Sequence, residues 1–265
     1  MSNTYWMYIK QTYSTSTLLR EQYSDALPHL YTIRTDFQTA GRGQAGNSWE
    51  SEAGKNLLFS SLLRYEGIHA TKQWRLSMLV SVALWDTLSK YLPPKPLTIK
   101  WPNDIYYGDK KLVGILIENS LTGQYVGYSI VGIGVNLNQT EWQSNAPNPI
   151  SMKQITGREY HAETVLNEWI AAIKSWEMRT TEQITSAYLQ RIYRHEGWHW
   201  YAEREVSIEP TNILIASSPN SLITPSPHRP FLATFVGITQ QGELILKTEN
   251  KEQKTYHFKQ IRFVI

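Results

Sequence analysis

The chain contains no cysteine. A disulfide framework, a thiolate metal site and a cysteine nucleophile are therefore all excluded. The absence agrees with a reducing compartment, and a cytoplasmic location is expected. No stretch approaches the ~20 consecutive apolar residues of a membrane-crossing helix, so no membrane span is expected. The N-terminus MSNTYWMYIKQTYSTSTLL lacks a basic segment followed by an apolar one, so no secretion signal is expected either. Long charge runs are missing too. Lys and Arg total 26 against 23 Asp and Glu, a net charge of +3 with a pI of about 8.9. That mild excess suits an anionic small molecule and is weak support for nucleic-acid binding. There is no G-x-S-x-G elbow. The seven histidines form no zinc pattern, since His195 and His199 stand one helical turn apart without an evident third ligand.

What remains is a chain of 265 residues and 30.6 kDa, long enough for one large domain or one large and one small. With 41% apolar and 18% charged residues it reads as globular, and core packing accounts for most of its ten Trp and sixteen Tyr. Residues 5–10 read as a strand. Ser14-Thr15-Ser16-Thr17 then opens a helix. Further strands are expected at 30–36 and 56–63, on either side of the Gly-rich polar loop 37–50. Apolar periodicity predicts a helix over 71–91, with Trp74, Met78, Val82 and Trp85 on one face, ended by Pro93, Pro94 and Pro96. Strands follow near 98–107, 111–118 and 124–135, then a polar loop at 137–150 and helices over 161–177 and 180–194. After Gly197 the texture changes to short strands at 203–209, 213–216, 231–239, 242–247 and 255–265, with a Pro-rich loop at 217–230. The implied division is 1–195 and 196–265.

Three stretches could carry chemistry. TIKWPNDIYYGDKKLVGILIE, residues 98–118, puts Lys100, Asn103, Asp104 and Lys111 close together. Gly108-Asp109-Lys110 is ordinary turn chemistry, so a hairpin with a solvated turn is one reading. Trp101-Pro102-Asn103-Asp104 makes a poor plain strand and favours the other reading, a nucleotide or anion site. Gly41-Arg42-Gly43-Gln44-Ala45-Gly46 lets backbone N–H groups approach an anion beside a guanidinium, but it matches neither the phosphate-loop pattern nor the dinucleotide fingerprint. Alone it reads more readily as a mobile surface loop. Gly132-Ile133-Gly134 alternates glycine in an apolar strand, which suggests close approach by a ligand or by another backbone, while its spacing alone favours a bulge or tight packing.

The order of these stretches, GRGQAGNSW, KWPNDI, KKLVGILIE and GIGVNLN, resembles the biotin protein ligase family. The motifs cover residues 5–140. The resemblance implies an α+β fold: a catalytic domain like that of class II aminoacyl-tRNA synthetases, with a mixed sheet flanked by helices, and a C-terminal SH3-like barrel. It implies a reaction in two steps. Biotin carboxylate attacks the α-phosphorus of MgATP to give biotinyl-5′-AMP, and a lysine of a biotin carboxyl carrier protein then takes the biotinyl group and releases AMP. Some members carry an N-terminal helix-turn-helix. Here the catalytic part starts almost at Met1, so specific DNA binding is not expected. The protein is expected to act as a monomer or a homodimer.

By matching position, the resemblance assigns Ser14, Thr15 and Gln38 to the biotin head group, with Gly41 and the backbone around Gly114 and Gly132 lining the same pocket. Arg42 and Lys111 would neutralise carboxylate and α-phosphate together, with Lys100 on the phosphate side. Asp104 and Asn103 would hold Mg²⁺ or its waters. Trp49 would stack on adenine, Gln44 and Asn136 would contact the nucleotide, and loop 41–49 would order over the adenylate. Many relatives have arginine where this chain has Gln44, and the loss of charge implies weaker adenylate retention. Two other readings stay open: a lipoate–protein ligase-type enzyme, and a non-catalytic regulator that binds biotin or nucleotide.

Overall fold

The structure, a computed structural model, describes residues 6–144, 148–204, 230–258 and 260–265. The chain divides into two compact units, Met1–Tyr193 and Arg194–Ile265.

In the first unit, strand β1 (Trp6–Thr12) leads through helix α1 (Thr15–Glu21) to β2 (Thr32–Gln38) and β3 (Leu57–Leu63). Helix α2 (Trp74–Ser89) follows, then β4 (Leu97–Lys100), β5 (Asp104–Tyr107), β6 (Lys110–Thr122) and β7 (Tyr125–Val135). Helices α3 (Met152–Thr156), α4 (Ala162–Glu177) and α5 (Thr181–Leu189) complete it. The seven strands form one mixed sheet in the order β1-β2-β3-β7-β6-β5-β4. Only β1 and β2 run parallel, because α1 carries the chain across between them; the other pairs are antiparallel.

Strand β3 reads LLFSSLL and is buried at every position, so both faces of the sheet are covered. Successive side chains of a strand point to opposite faces. The Phe59 ring packs 4.9 Å from the ring of Trp169 on α4, and Ser60 Oγ lies 2.8 Å from Thr15 Oγ1 on α1. One layer is therefore α1 and the other contains α4. Under α1, Leu19, Ile33, Leu62 and Ile130 make a small core that fixes the helix to the sheet. Helix α2 packs against β4, β5, α4 and α5, which explains why its burial runs nearly all round rather than along one stripe.

Two sequence expectations change in this unit. The single strand expected near 98–107 is two antiparallel strands, β4 and β5, in which Lys100 sits opposite Asp104. Trp101-Pro102-Asn103 turns the chain between them, with a cis Trp101–Pro102 peptide. Helix α3 interrupts the expected run from loop to helix. It has a capping box at Ser151 and Gln154 and ends on Gly157 in the left-handed region.

In the second unit, β8 (His199–Glu203), β9 (Phe231–Ile238), β10 (Leu244–Thr248), β11 (Gln253–Tyr256) and β12 (Ile261–Phe263) form one antiparallel sheet in the order β11-β10-β9-β8-β12. The Tyr201 ring packs against Phe263 and Phe231 at its centre. The strand expected at 255–265 is two short ones. The strand expected at 213–216 lies outside the described residues, as do most of the strand at 203–209 and of the loop at 217–230. Among the described residues no helix is long and apolar enough to cross a membrane.

Candidate active site

The sheet face toward α1 carries three cross-strand rows, each drawn from β3, β7 and β6. They are Leu58–Gly134–Gly114, Ser60–Gly132–Leu116 and Leu62–Ile130–Glu118. The site is built on these rows.

The middle row holds a cluster of hydroxyls. Helix α1 begins at N-cap Ser14, so its first turn presents Ser14, Thr15 and Ser16 to the sheet. Thr15 Oγ1 bonds Ser60 Oγ at 2.8 Å, and Ser14 Oγ lies 3.1 Å from Ser16 Oγ. Gln38, at the end of β2, accepts through Oε1 from the Thr15 backbone N–H at 2.8 Å and from Thr15 Oγ1 at 3.1 Å. Gly132 stands beneath: a Cβ there would lie 3.4 Å from Ser60 Oγ and 3.5 Å from Ser16 Cβ. The three α1 residues and Ser60 are all buried. Buried polar groups need partners, and here they supply one another while leaving further lone pairs and amide hydrogens for a ligand of mixed donors and acceptors. Ser14, Thr15, Gln38 and Gly132, separate in sequence, are thus brought together. Ser16 and Ser60 join them; two serines inside the apolar run of β3 were the only signal for the latter.

The glycine row carries Trp49. A Cβ on Gly114 would stand 2.5 Å from Trp49 Cζ3, and one on Gly134 would stand 2.5 Å from Nε1. Only glycine leaves room for the indole. The ring is therefore seated flat on the sheet, and among the described residues its buried Nε1 has no hydrogen-bond partner. The loop that delivers it is a narrow stem: Trp49 N–H donates to Gly41 O at 2.9 Å, and Arg42 bridges Ser48. Gly41 is required here, since its Cβ would meet Trp49 O at 2.5 Å. Gly114 thus forms the floor under Trp49, whereas Gly132 borders the hydroxyl cluster.

Next to Trp49 lie the charges of the β4–β5–β6 edge. The β5–β6 register shifts between Ile105 and Tyr106, which sets Lys111 opposite Tyr106. A bulge of this kind re-aims a side chain. Lys111 Nζ consequently reaches Asp104 at 2.7 Å and stands 5.8 Å from the Trp49 ring. Residues 148–150 run along the Lys111 backbone, with Lys111 N–H on Asn148 O and Ile150 N–H on Lys111 O. Lys100 Nζ bonds Tyr106 Oη at 2.9 Å. Burial, and then the charge of Asp104, push the Tyr106 phenol up, so it stays neutral. Buried Asn103 accepts at Oδ1 from Gln44 Nε2, which also donates to Ile115 O, both at 3.1 Å. Buried Asn136 donates to Lys111 O and Ile150 O, and its Oδ1 has no partner among the described residues. Asp104 and Asn103 offer two hard oxygens; that set fits an ion carried on nucleotide phosphates rather than one caged by protein. Among the described residues no three His, Asp or Glu side chains cluster to hold a metal.

Arg42 is held elsewhere. Its guanidinium bonds Glu118 in the third row, Nη2 to Oε1 at 2.6 Å and Nη1 to Oε2 at 3.3 Å, with Nη1 also 3.2 Å from Thr17 Oγ1. Arg42 and Lys111, expected to work side by side, sit on different carboxylates, with the hydroxyl row between Glu118 and the glycine row.

The sequence matches the biotin/lipoate A/B protein ligase family over residues 8–136 and the biotin protein ligase C-terminal domain over residues 222–258. A biotin–[acetyl-CoA-carboxylase] ligase of Paracoccus denitrificans is 34% identical over 166 residues, covering 59% of this chain and 68% of that protein. The chain belongs to the biotin protein ligase family. A bifunctional ligase/repressor BirA of Bacillus subtilis is 29% identical over 249 residues, covering 92% of this biotin protein ligase family chain and 69% of its own length. The fold is shared with the Aquifex aeolicus biotin protein ligase solved with biotin and ATP, at TM-score 0.71, 21% identity and coverage of 98% and 99%. It is shared too with the Leishmania major enzyme solved with biotinyl-5-AMP, at TM-score 0.63, 18% identity and coverage of 97% and 100%.

Proposed function

We propose that this chain activates biotin with ATP as biotinyl-5′-AMP and transfers the biotinyl group to a lysine of a biotin carboxyl carrier protein, in a reducing cytoplasm. The observation that carries this reading is the cluster of buried hydroxyls of Ser14, Thr15, Ser16 and Ser60 with the half-buried amide of Gln38, beside a row that seats Trp49 next to Lys111. A ureido ring has alternating donors and acceptors, and this cluster can satisfy them. A dithiolane would leave the same groups unpaired, which disfavours lipoate as substrate.

Once the head group is held there, the carboxylate lies toward Trp49 and Lys111. In the first step a carboxylate oxygen bonds the α-phosphorus and pyrophosphate leaves. Two anions must meet, and Lys111, exchanging Asp104 for substrate, offsets their repulsion; Lys100 acts on the phosphate side. Asn136 Oδ1 and Gln44 serve the nucleotide, and Trp49 lies between it and the biotin tail. Asp104 and Asn103 would hold Mg²⁺ on the phosphates, where it would spread their charge. In the second step the carrier amine bonds the acyl carbon, loses a proton, and AMP leaves. No enzyme nucleophile is needed, in keeping with a chain that lacks cysteine; the contribution is placement and charge. Incubation with biotin, MgATP and a carrier domain should add one biotinyl group to one lysine, read by mass, with pyrophosphate released. Adenylate from lipoate but not from biotin, or no pyrophosphate with either acid, would overturn the assignment.

A further inference from the structure

No role is assigned above to Arg20 or to Glu118, the last residue of KKLVGILIE, yet they meet Arg42 at one end of the hydroxyl row. Glu118 lies on β6 facing α1, and its Oε1 accepts from Arg42 Nη2 at 2.6 Å and from Arg20 Nη2 at 2.7 Å. Arg20 is in the last turn of the helix whose first turn carries Ser14, Thr15 and Ser16. Thr17, between them, takes a third bond from Arg42. One carboxylate thus ties together the helix, the sheet and the base of loop 41–49.

The loop base is a two-stranded stem. Its first strand holds Arg42 and its second holds Trp49, joined by the Gly41–Trp49 hydrogen bond and the Arg42–Ser48 bridge. Trp49 is seated on the glycine row and Arg42 on the Glu118 row, with the hydroxyl row between. The stem is a strap across the hydroxyl cluster, steric at one end and ionic at the other. The charges at the ionic end are two guanidinium groups and one carboxylate, a net +1. A lone Glu118 would cancel Arg42; Arg20 leaves one positive charge in excess at the edge of a site that receives anions.

We propose that Glu118 is a positioning residue that anchors the strap through Arg42, and that Arg20 keeps this anchor cationic. The ligand side of the proposal rests on the biotin ligase reading; the anchoring does not. Bidentate, charge-assisted bonds fix the plane of a guanidinium as well as its distance. Losing the anchor leaves the stem held only by the seat of Trp49, so the strap opens more often while the chemistry within a closed site is unchanged. The expected signature is a raised KM for biotin and faster loss of adenylate, with kcat for pyrophosphate release nearly constant.

The test is hydrogen exchange of the full chain, read by mass over residues 40–50, for wild type, Glu118→Gln and Arg20→Gln, paired with steady-state adenylation. Glu118→Gln should lose protection in the stem by about tenfold, with β3 and α2 unaltered, and should raise the biotin KM by about tenfold. Arg20→Gln should keep stem protection and still raise KM, with a weaker dependence on salt. If Glu118→Gln loosens the whole fold, Arg42→Gln on the exposed loop reports on the same bond from the other side and should reproduce the local loss. Unchanged exchange in the stem of a folded Glu118→Gln or Arg42→Gln protein overturns the anchor, whatever the substrate. Stem loss without a rise in KM overturns the link to biotin. A wild type that turns over no biotin at all would instead refute the functional reading and leave the exchange result to decide on the anchor.

Discussion

Replacing Gly114 by alanine should unseat Trp49. The backbone of β6 is extended there and accepts alanine without conformational cost, so the effect comes from a single methyl group. That methyl would stand 2.5 Å from Trp49 Cζ3 and 2.9 Å from Cε3. Carbon atoms in contact rest at about 3.5–4.0 Å, so the ring must withdraw by roughly 1 Å. Were the ring fixed in a core, such overpacking would cost about 1–3 kcal/mol of stability. Trp49 is carried on a loop, which yields more easily than the centre of a sheet, so the melting temperature should move little. The site is less forgiving: a misplacement of ~1 Å in a positioning group can cost about 10²-fold, or ~2.7 kcal/mol. Pyrophosphate release with biotin and MgATP should therefore fall about a hundredfold in kcat/KM. Trp49→Ala provides the control, because without the indole the methyl meets nothing large. Gly114→Ala should cost far less on that background, compared as a ratio to the single Trp49→Ala protein. An equal penalty in both backgrounds would refute the reasoning and assign Gly114 to direct contact with substrate; full activity in Gly114→Ala would refute the seat itself.

Lys111→Ala should slow pyrophosphate release by roughly 10²-fold or more, since it removes a donor poised for developing negative charge; release at the wild-type rate would refute its assignment. Gln44→Arg should slow dissociation of biotinyl-5′-AMP by about tenfold, because a guanidinium can keep the bonds to Asn103 and Ile115 and add charge; equal or faster loss would defeat the idea. Burial raises the Glu50 carboxyl, but the backbone N–H groups of Gln143 and Ser144 outweigh it and hold the group below the usual glutamate range. A group whose pKa is depressed by folding adds stability above its unfolded value and loses it as pH falls through the folded one. Thermal midpoints of wild type and Glu50→Gln should therefore converge as pH drops below about 4, and a constant difference would contradict the cause.

The long amphipathic segments could be read from the sequence because their burial follows their period: Val165, Leu166, Trp169, Ile170 and Ile173 mark α4 without ambiguity. The split of residues 98–107 could not be placed: Trp101-Pro102-Asn103-Asp104 makes a poor plain strand, but Trp101 and Asn103 are buried in the turn and Ile105 in the strand after it, so no exposed polar break marks where one strand ends and the next begins. The five-residue helix α3 was below any periodic signal, although the Ser151–Gln154 spacing and Gly157 were in plain view. Within the site, the motifs located Lys100, Asn103, Asp104 and Lys111. Their pairing depends on a register shift that no spacing rule contains. Thr15 and Ser60 meet across 45 positions, and Arg20, Arg42 and Glu118 meet across nearly a hundred. Such contacts are products of sheet register, and side-chain chemistry by itself does not encode them.

The indole nitrogen of Trp49 carries an unmet obligation. Its hydrogen is out of water and has no acceptor among the described residues, a state that costs about 1–3 kcal/mol relative to a bonded one. An acceptor oxygen placed at that point would remove this cost, so the glycine seat that fixes the indole also favours a partner that brings an acceptor to it.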